Sequence, residues 1–441
     1  MKTLAWSLIA AGGLATLGCN LDKYSVGGTL TGLTGQGQGL VLEDNAGNSL
    51  SLSSNGTFAF SDGVKNGDSY SVTVSTQPSN PSQTCTVHNG SGTIDNASVT
   101  NVIVTCTGVG RFAYVANEHS NSLSAYSIDS TTGYLTPIAG SPFASAGTTP
   151  AAMAVDPNGQ YLYVADNSSN DVAVYAIDSS GALSSAGEPL ATGSGPDAVI
   201  VDPTDTYVYV ANMASNTVSG YAIGSGGLLT ELEGSPFAAG AGPTSLKIDP
   251  NDNFLYATNF GDGTVSVMAI DPTTGSLSAI PGSPFGAGKG ALSIAIDPTG
   301  SYAYVANETA ASISEYSINA STGALTALSG SPFGTGSSPE SLAADFAGRH
   351  VYAANVTGAG KVASYGITPS TGVLNLSGTP VAAGTFPVDL VLDPSGQFAY
   401  VANENSNDIS VYSVDVSTGV LTQVSHSPFA AAIEPRSIAI D

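Results

Sequence analysis

A core resembling Tyr-Val-Ala-Asn recurs seven times, at Tyr114, Tyr163, Tyr209, Tyr256, Tyr304, Tyr352 and Tyr400, in steps of 49, 46, 47, 48, 48 and 48 residues. Repetition on this scale constrains a fold before any single motif does. Each unit keeps one order. A run of small apolar residues ends in Asp-Pro, as in Leu292-Ser-Ile-Ala-Ile-Asp297-Pro298. A tight turn follows, then the Tyr-Val-Ala-Asn strand, a four-residue polar loop and a strand such as Val172–Ile177. A Ser-Thr-Gly turn leads to a short last strand and a Gly-Ser-Pro-Phe segment. Four antiparallel strands with a period near 48 predict propeller blades, because a solenoid of parallel coils has a shorter period. The first strand of each unit is almost wholly apolar, as expected where neighbouring blades cover both faces of a sheet.

The order of strands also predicts how the ring closes. Seven inner strands begin near Pro150, Pro196, Pro243, Gly290, Pro339, Pro387 and Pro435. The repeats open on a second strand, 111–117, and finish on an inner one, 436–441. The C-terminal strand is therefore expected to complete the N-terminal blade. The fold class read from the sequence is all-β: a seven-bladed β-propeller closed by N- and C-terminal strands, preceded by a small β-sandwich.

The sandwich is expected over 24–107. About seven alternating strands fall there, separated by turns at 45–48, 54–56 and 66–68. The Gly-rich run 35–39 reads as a turn, since no helix pattern follows it to cradle a phosphate. Asn55–Phe60 and Gly67–Val72 resemble Ig-like and carboxypeptidase-regulatory-like modules, which commonly act as spacers. Residues 1–18 combine a basic start with an apolar stretch too short to span a bilayer, which reads as an export signal. They lead to Thr16-Leu17-Gly18-Cys19, which resembles the lipobox of bacterial lipoproteins, with Leu17 one place later than that family prefers. The resemblance implies lipidation of Cys19, a linker at 19–23, and an exported protein anchored in the cell envelope, with Asn20 favouring the outer membrane. Of the three cysteines, Cys85 and Cys106 remain as an expected disulfide outside the cytosol.

The Tyr-Val-Ala-Asn units and Asp-Pro-x-Gly turns over 111–441 resemble the YVTN-type repeats of the seven-bladed lactonase family. That family includes 6-phosphogluconolactonases of the propeller type and a muconate-lactonizing enzyme. The resemblance implies a site at the mouth of the central channel. Two sets of loops are expected there, one before each inner strand and one after each Tyr-Val-Ala-Asn. They bring Asp197, Lys289, Glu340, Asp389, Glu434 and Arg436 from the first set. The second set brings Glu118, His119, Met213, Phe260, Glu308 and Glu404, and Phe386 adds an aromatic. Active lactonases open an inner strand with Pro-Arg-His. The nearest match here is Pro435-Arg436-Ser437, which keeps the arginine and not the histidine. Lactone hydrolysis needs a base for water and a cation for the developing oxyanion. Glu118, Glu308 or Glu404 can serve as the base, and Arg436 or Lys289 as the cation. The leading catalytic candidates are Arg436, Glu118 and Glu404, with Asp197, Lys289, Glu308, Glu340, Asp389, Phe260 and Phe386 as binding residues.

Other chemistries have no support. A net charge of −25, with nine basic residues, repels a phosphate backbone and excludes nucleic acid as a partner. The four histidines are scattered, with no zinc spacing. No nucleophile elbow, phosphate loop or calcium loop occurs, and no cofactor is implied. Because the histidine is missing, the sequence alone favours a propeller that binds a ligand or an envelope protein. Hydrolysis of a sugar lactone is the alternative, and a purely structural assembly role the third reading.

Overall fold

The structure, a computed structural model, describes residues 23–31, 33, 40–45, 47–78, 83–108 and 112–441. The export segment, Cys19 and the run 35–39 lie outside the described residues. Among those described, regular structure is β apart from one 3-10 turn at Ser225–Gly227. No helix among them is long and apolar enough to cross a membrane. The chain separates into two units, the second of which contains Thr107–Asp441.

The first unit is a sandwich of two four-stranded sheets. One sheet orders Gly56–Ala59, Val26–Thr31, Val99–Gly108 and Gln83–His88. The other orders Ser49–Leu52, Leu40–Asp44, Ser69–Thr76 and Ser91–Thr93. Alternation decides which side chains meet. Val102 and Val104 are buried while Ile103 between them is exposed. Val26, Leu30, Val102 and Val104 from one sheet share a core with Leu40, Leu42, Tyr70 and Val72 from the other. A disulfide links Cys85 and Cys106. Val26–Thr31 and Val99–Gly108 pair in parallel.

The second unit is the seven-bladed ring. Each blade orders an inner, second, third and outer strand, for example Ala291–Ile296, Tyr302–Asn307, Ser312–Ile318 and Leu325–Ala327. A two-residue strand begun by the Phe of Gly-Ser-Pro-Phe also pairs the third strand, as Phe333–Gly334 does. The outer position is thus split in two. Proline has no N–H to give the ladder, so the strand breaks there. The ring closes as the strand order requires. Pro435–Ile440 pairs antiparallel with Phe112–Asn117, matching Ile440 to Ala113 and Ile438 to Val115.

Three recurrent side chains hold this frame. The aspartate of each Asp-Pro turn that follows an inner strand is buried, and its Oδ1 accepts two backbone N–H groups, as Asp249 does from Asn253 and Phe254. The repeat asparagine bonds the next strand, as Asn307 does to Ser312 and Ser314. The repeat tyrosine donates its hydroxyl to the turn glycine of the following blade. Tyr114, Tyr163, Tyr209, Tyr256, Tyr304 and Tyr400 reach Gly181, Gly227, Gly275, Gly323, Gly372 and Gly133. Tyr352 breaks the series: its buried hydroxyl has no hydrogen-bond partner among the described residues.

Candidate functional site

Backbone hydrogen bonds bring the two loop sets to one mouth. The residue after each repeat Asn or Asp donates its N–H to the residue just before or near the start of an inner strand. Glu118 N bonds Glu434 O, Met213 N bonds Gly195 O and Phe260 N bonds Gly242 O. Glu308 N bonds Gly290 O and Glu404 N bonds Phe386 O. The acceptor residue adopts a left-handed conformation, which glycine takes freely. Gly195, Gly242 and Gly290 satisfy this, while Phe386 and Glu434 hold φ of 61° and 58° despite their side chains. The inner strand then starts with a register shift, as between Pro196 and Ala198. That shift turns the second residue into the channel.

Asp197, Thr244, Glu340 and Arg436 consequently line one cavity of about 250 Å³. The volume fits a single small ring rather than a polymer. Arg436 is its focus. Nε stands 3.6 Å from Glu118, one terminal nitrogen 3.6 Å from Asp197 and the other 3.5 Å from Glu404. Asp197 comes from across the channel, two blades away. The Arg436 side chain is 36% exposed and lines the cavity. Burial alone would lower its pKa; the fields of Asp197, Glu118, Glu404 and Glu340 outweigh that and raise it.

The carboxylates respond differently. Burial raises Asp197 and Glu404 despite Arg436. Glu340 is pushed up to about 7, mainly by burial and then by Glu308, against the opposing pull of Arg436. A carboxyl group poised near neutrality beside a fixed guanidinium can take and return a proton.

The other sequence candidates are placed as follows. Glu308 accepts a hydrogen bond from Thr309 and its charge reaches Glu340. Glu434 lies 3.6 Å from the largely exposed His119. Phe260 and Phe386 are half-buried and Met213 is exposed. Among the described residues no ion pair joins Lys289 to Arg436, and Lys289 is exposed. Asp389 sits one residue deeper than the mouth ring. Its carboxylate accepts the N–H of Ile438 and of Leu390 and the hydroxyl of Ser341, so it joins neighbouring inner strands. Ser437, where the family pattern has histidine, accepts the N–H of Met153 in the same kind of seam.

Sequence reasoning passed over Lys247, Thr244, Ser293 and Ser341, which also line the cavity. Lys247 had a readable signal, a lone charge within the apolar inner strand Pro243–Ile248. No group of three or more potential metal-binding side chains exists among the described residues.

Comparison with known proteins gives one family and one fold. The model of the family "lactonase, 7-bladed beta-propeller" matches residues 68–242 and 238–434. No curated protein sequence matches the chain. A provisional 6-phosphogluconolactonase of Bacteroides uniformis superposes with a TM-score of 0.64 at 20% identity, covering 76% of this chain and 100% of the other. The periplasmic gluconolactonase of Pseudomonas aeruginosa gives 0.63 at 18% identity, covering 75% and 98%. A protein of Lactobacillus plantarum gives 0.64 at 23% identity, covering 75% and 99%. At such identities the likeness is one of fold.

Proposed function

The chain belongs to the seven-bladed β-propeller lactonase family, and from that premise we propose that it hydrolyses a small sugar lactone, or a related cyclic ester, at the mouth built around Arg436. The observation that carries this reading is one cavity lined both by a guanidinium that Glu118, Asp197 and Glu404 fix and by the Glu340 carboxyl, pushed up to about 7. Among solved structures of the same fold, one is named a periplasmic gluconolactonase. Arg436 receives the lactone carbonyl and stabilises the oxyanion. Glu340, ionised, takes a proton from the attacking water. The tetrahedral intermediate then collapses, the ring C–O bond breaks, and Glu340 returns the proton to the departing alkoxide. The product is the open hydroxy acid. Glu118 and Glu404, two of the three sequence candidates for the base, flank the guanidinium and orient it, while Asp197 holds it from across the channel.

The test is hydrolysis of a panel containing gluconolactone and 6-phosphogluconolactone. Turnover above the buffer rate is expected. It should fall about 10²–10⁴-fold in Glu340→Gln and at least as far in Arg436→Ala. The base must be ionised, so the rate should be lost as pH falls through about 7. Folded protein with no turnover on any lactone would sink the proposal and return the mouth to ligand binding alone.

The same reading extends to address. The basic start, short apolar run and Cys19 support export and lipid anchoring in the envelope. Cys19→Ser is expected to move the protein from the membrane fraction to the soluble one; unchanged partition would refute anchoring at that residue.

A further inference from the structure

A second cavity, about 350 Å³, borders inner strands toward their Asp-Pro ends, away from Arg436. Its walls are apolar: Ile248, Ile296, Ala343, Leu390, Leu392 and Phe346. Phe346 stands where the other turns of this kind carry proline, and it is 48% exposed. Lys247 lines both this cavity and the mouth cavity, so it lies between them in the channel. It is exposed to channel space and, among the described residues, forms no hydrogen bond or ion pair. Asp389 reaches it only through its field, and the Asp389 oxygens are taken by Ile438, Leu390 and Ser341. Enclosure pushes the ammonium pKa down. Two carboxylates also border the cavity, and both are engaged. Asp297 accepts the N–H of Ser301 and Tyr302, and Asp345 bonds His350 and the N–H of Arg349.

An ammonium facing the channel with no direct ion pair among the described residues, backed by hydrocarbon walls, suits one negative charge carried on an apolar body. A sugar phosphate would leave its hydroxyls unsatisfied against these walls. We propose that this cavity binds a small monocarboxylic acid, its carboxylate on the Lys247 ammonium and its hydrocarbon part among Ile248, Ile296, Ala343 and Leu392. The site is independent of lactone hydrolysis and is reached from the opposite end of the channel.

Calorimetric titration of the full-length protein with phenylacetate tests this. Saturable binding is expected, with none for phenylacetamide, which has the same shape and no charge. Affinity should fall by about tenfold or more in Lys247→Met, be retained in Lys247→Arg, and stay within about twofold in Arg436→Ala. Ala343→Trp, which fills the apolar chamber and keeps the lysine, should also abolish binding and guards against misfolding of the methionine variant. Lack of saturation up to about 10 mM, equal binding of phenylacetamide, indifference to both Lys247→Met and Ala343→Trp, or loss in Arg436→Ala would each overturn the proposal. Lactone turnover is a separate readout, so either reading can fail alone.

Discussion

At the scale of single residues, the repeat is most informative where it is broken. Six blades end the second strand with asparagine and one with Asp166. Asparagine there always donates, and at Asn307 and Asn403 it also accepts. Asn403 donates to Asp408 and accepts the N–H of Gly384. Asp166 accepts from Ser145, and its Oδ2 and the nearby Asp171 Oδ1 are buried without partners among the described residues. Burial, with the Asp171 charge adding to it, pushes Asp166 up to about 7. Folding therefore binds a proton between about pH 4 and 7, so the stability it contributes is present at low pH and lost as pH rises through about 7. Asp166→Asn is expected to raise stability by about 1–3 kcal/mol at pH 8 and to have little effect near pH 4. Thermal melts at the two pH values check this; an equal effect at both would contradict it. The same logic explains what the sequence left hidden. The charge type at Glu340 was legible, but its poise near neutrality comes from burial and from Glu308, which lies 32 residues earlier in the chain.

At the scale of elements, closure depends on one strand. Ile438 is 3% exposed and packs with Val115, Tyr126 and Tyr400, which bridges two blades. Ile438→Ala should cost about 2–5 kcal/mol. Deleting 435–441 should remove the partner of Phe112–Asn117 and abolish the cooperative melt of the ring. A melt unchanged by the deletion would be incompatible with this topology. The strand order made the closure readable in advance, since seven inner strands and an unmatched second strand have one simple solution. Two-residue strands were not readable. Lys23–Tyr24, Val64–Lys65 and the short strands after Ser-Pro are defined by tertiary pairing and are too short to show a period.

For the whole molecule, period and apolar pattern carried the architecture, because each blade needs its neighbours to cover it. Function was less legible. Side chains converging on Arg436 come from different blades, and sequence order does not say which of several acidic loops face each other across a channel. Lys247 is hard to recognise from sequence because an inner strand reads as wall, although the same strand also lines the channel.

The closing blade also sets a clock. Phe112 and Asp441, joined by the N–H to Oδ1 hydrogen bond that ends the blade, are 329 residues apart in the chain. At roughly 5–20 residues per second of synthesis, the first strand waits on the order of 16–65 s for its partner. During that wait it presents an unpaired edge, the kind of surface on which chains stick to one another. The chain must therefore be kept from settling until it is nearly finished, a demand that falls on any ring whose last strand completes its first blade.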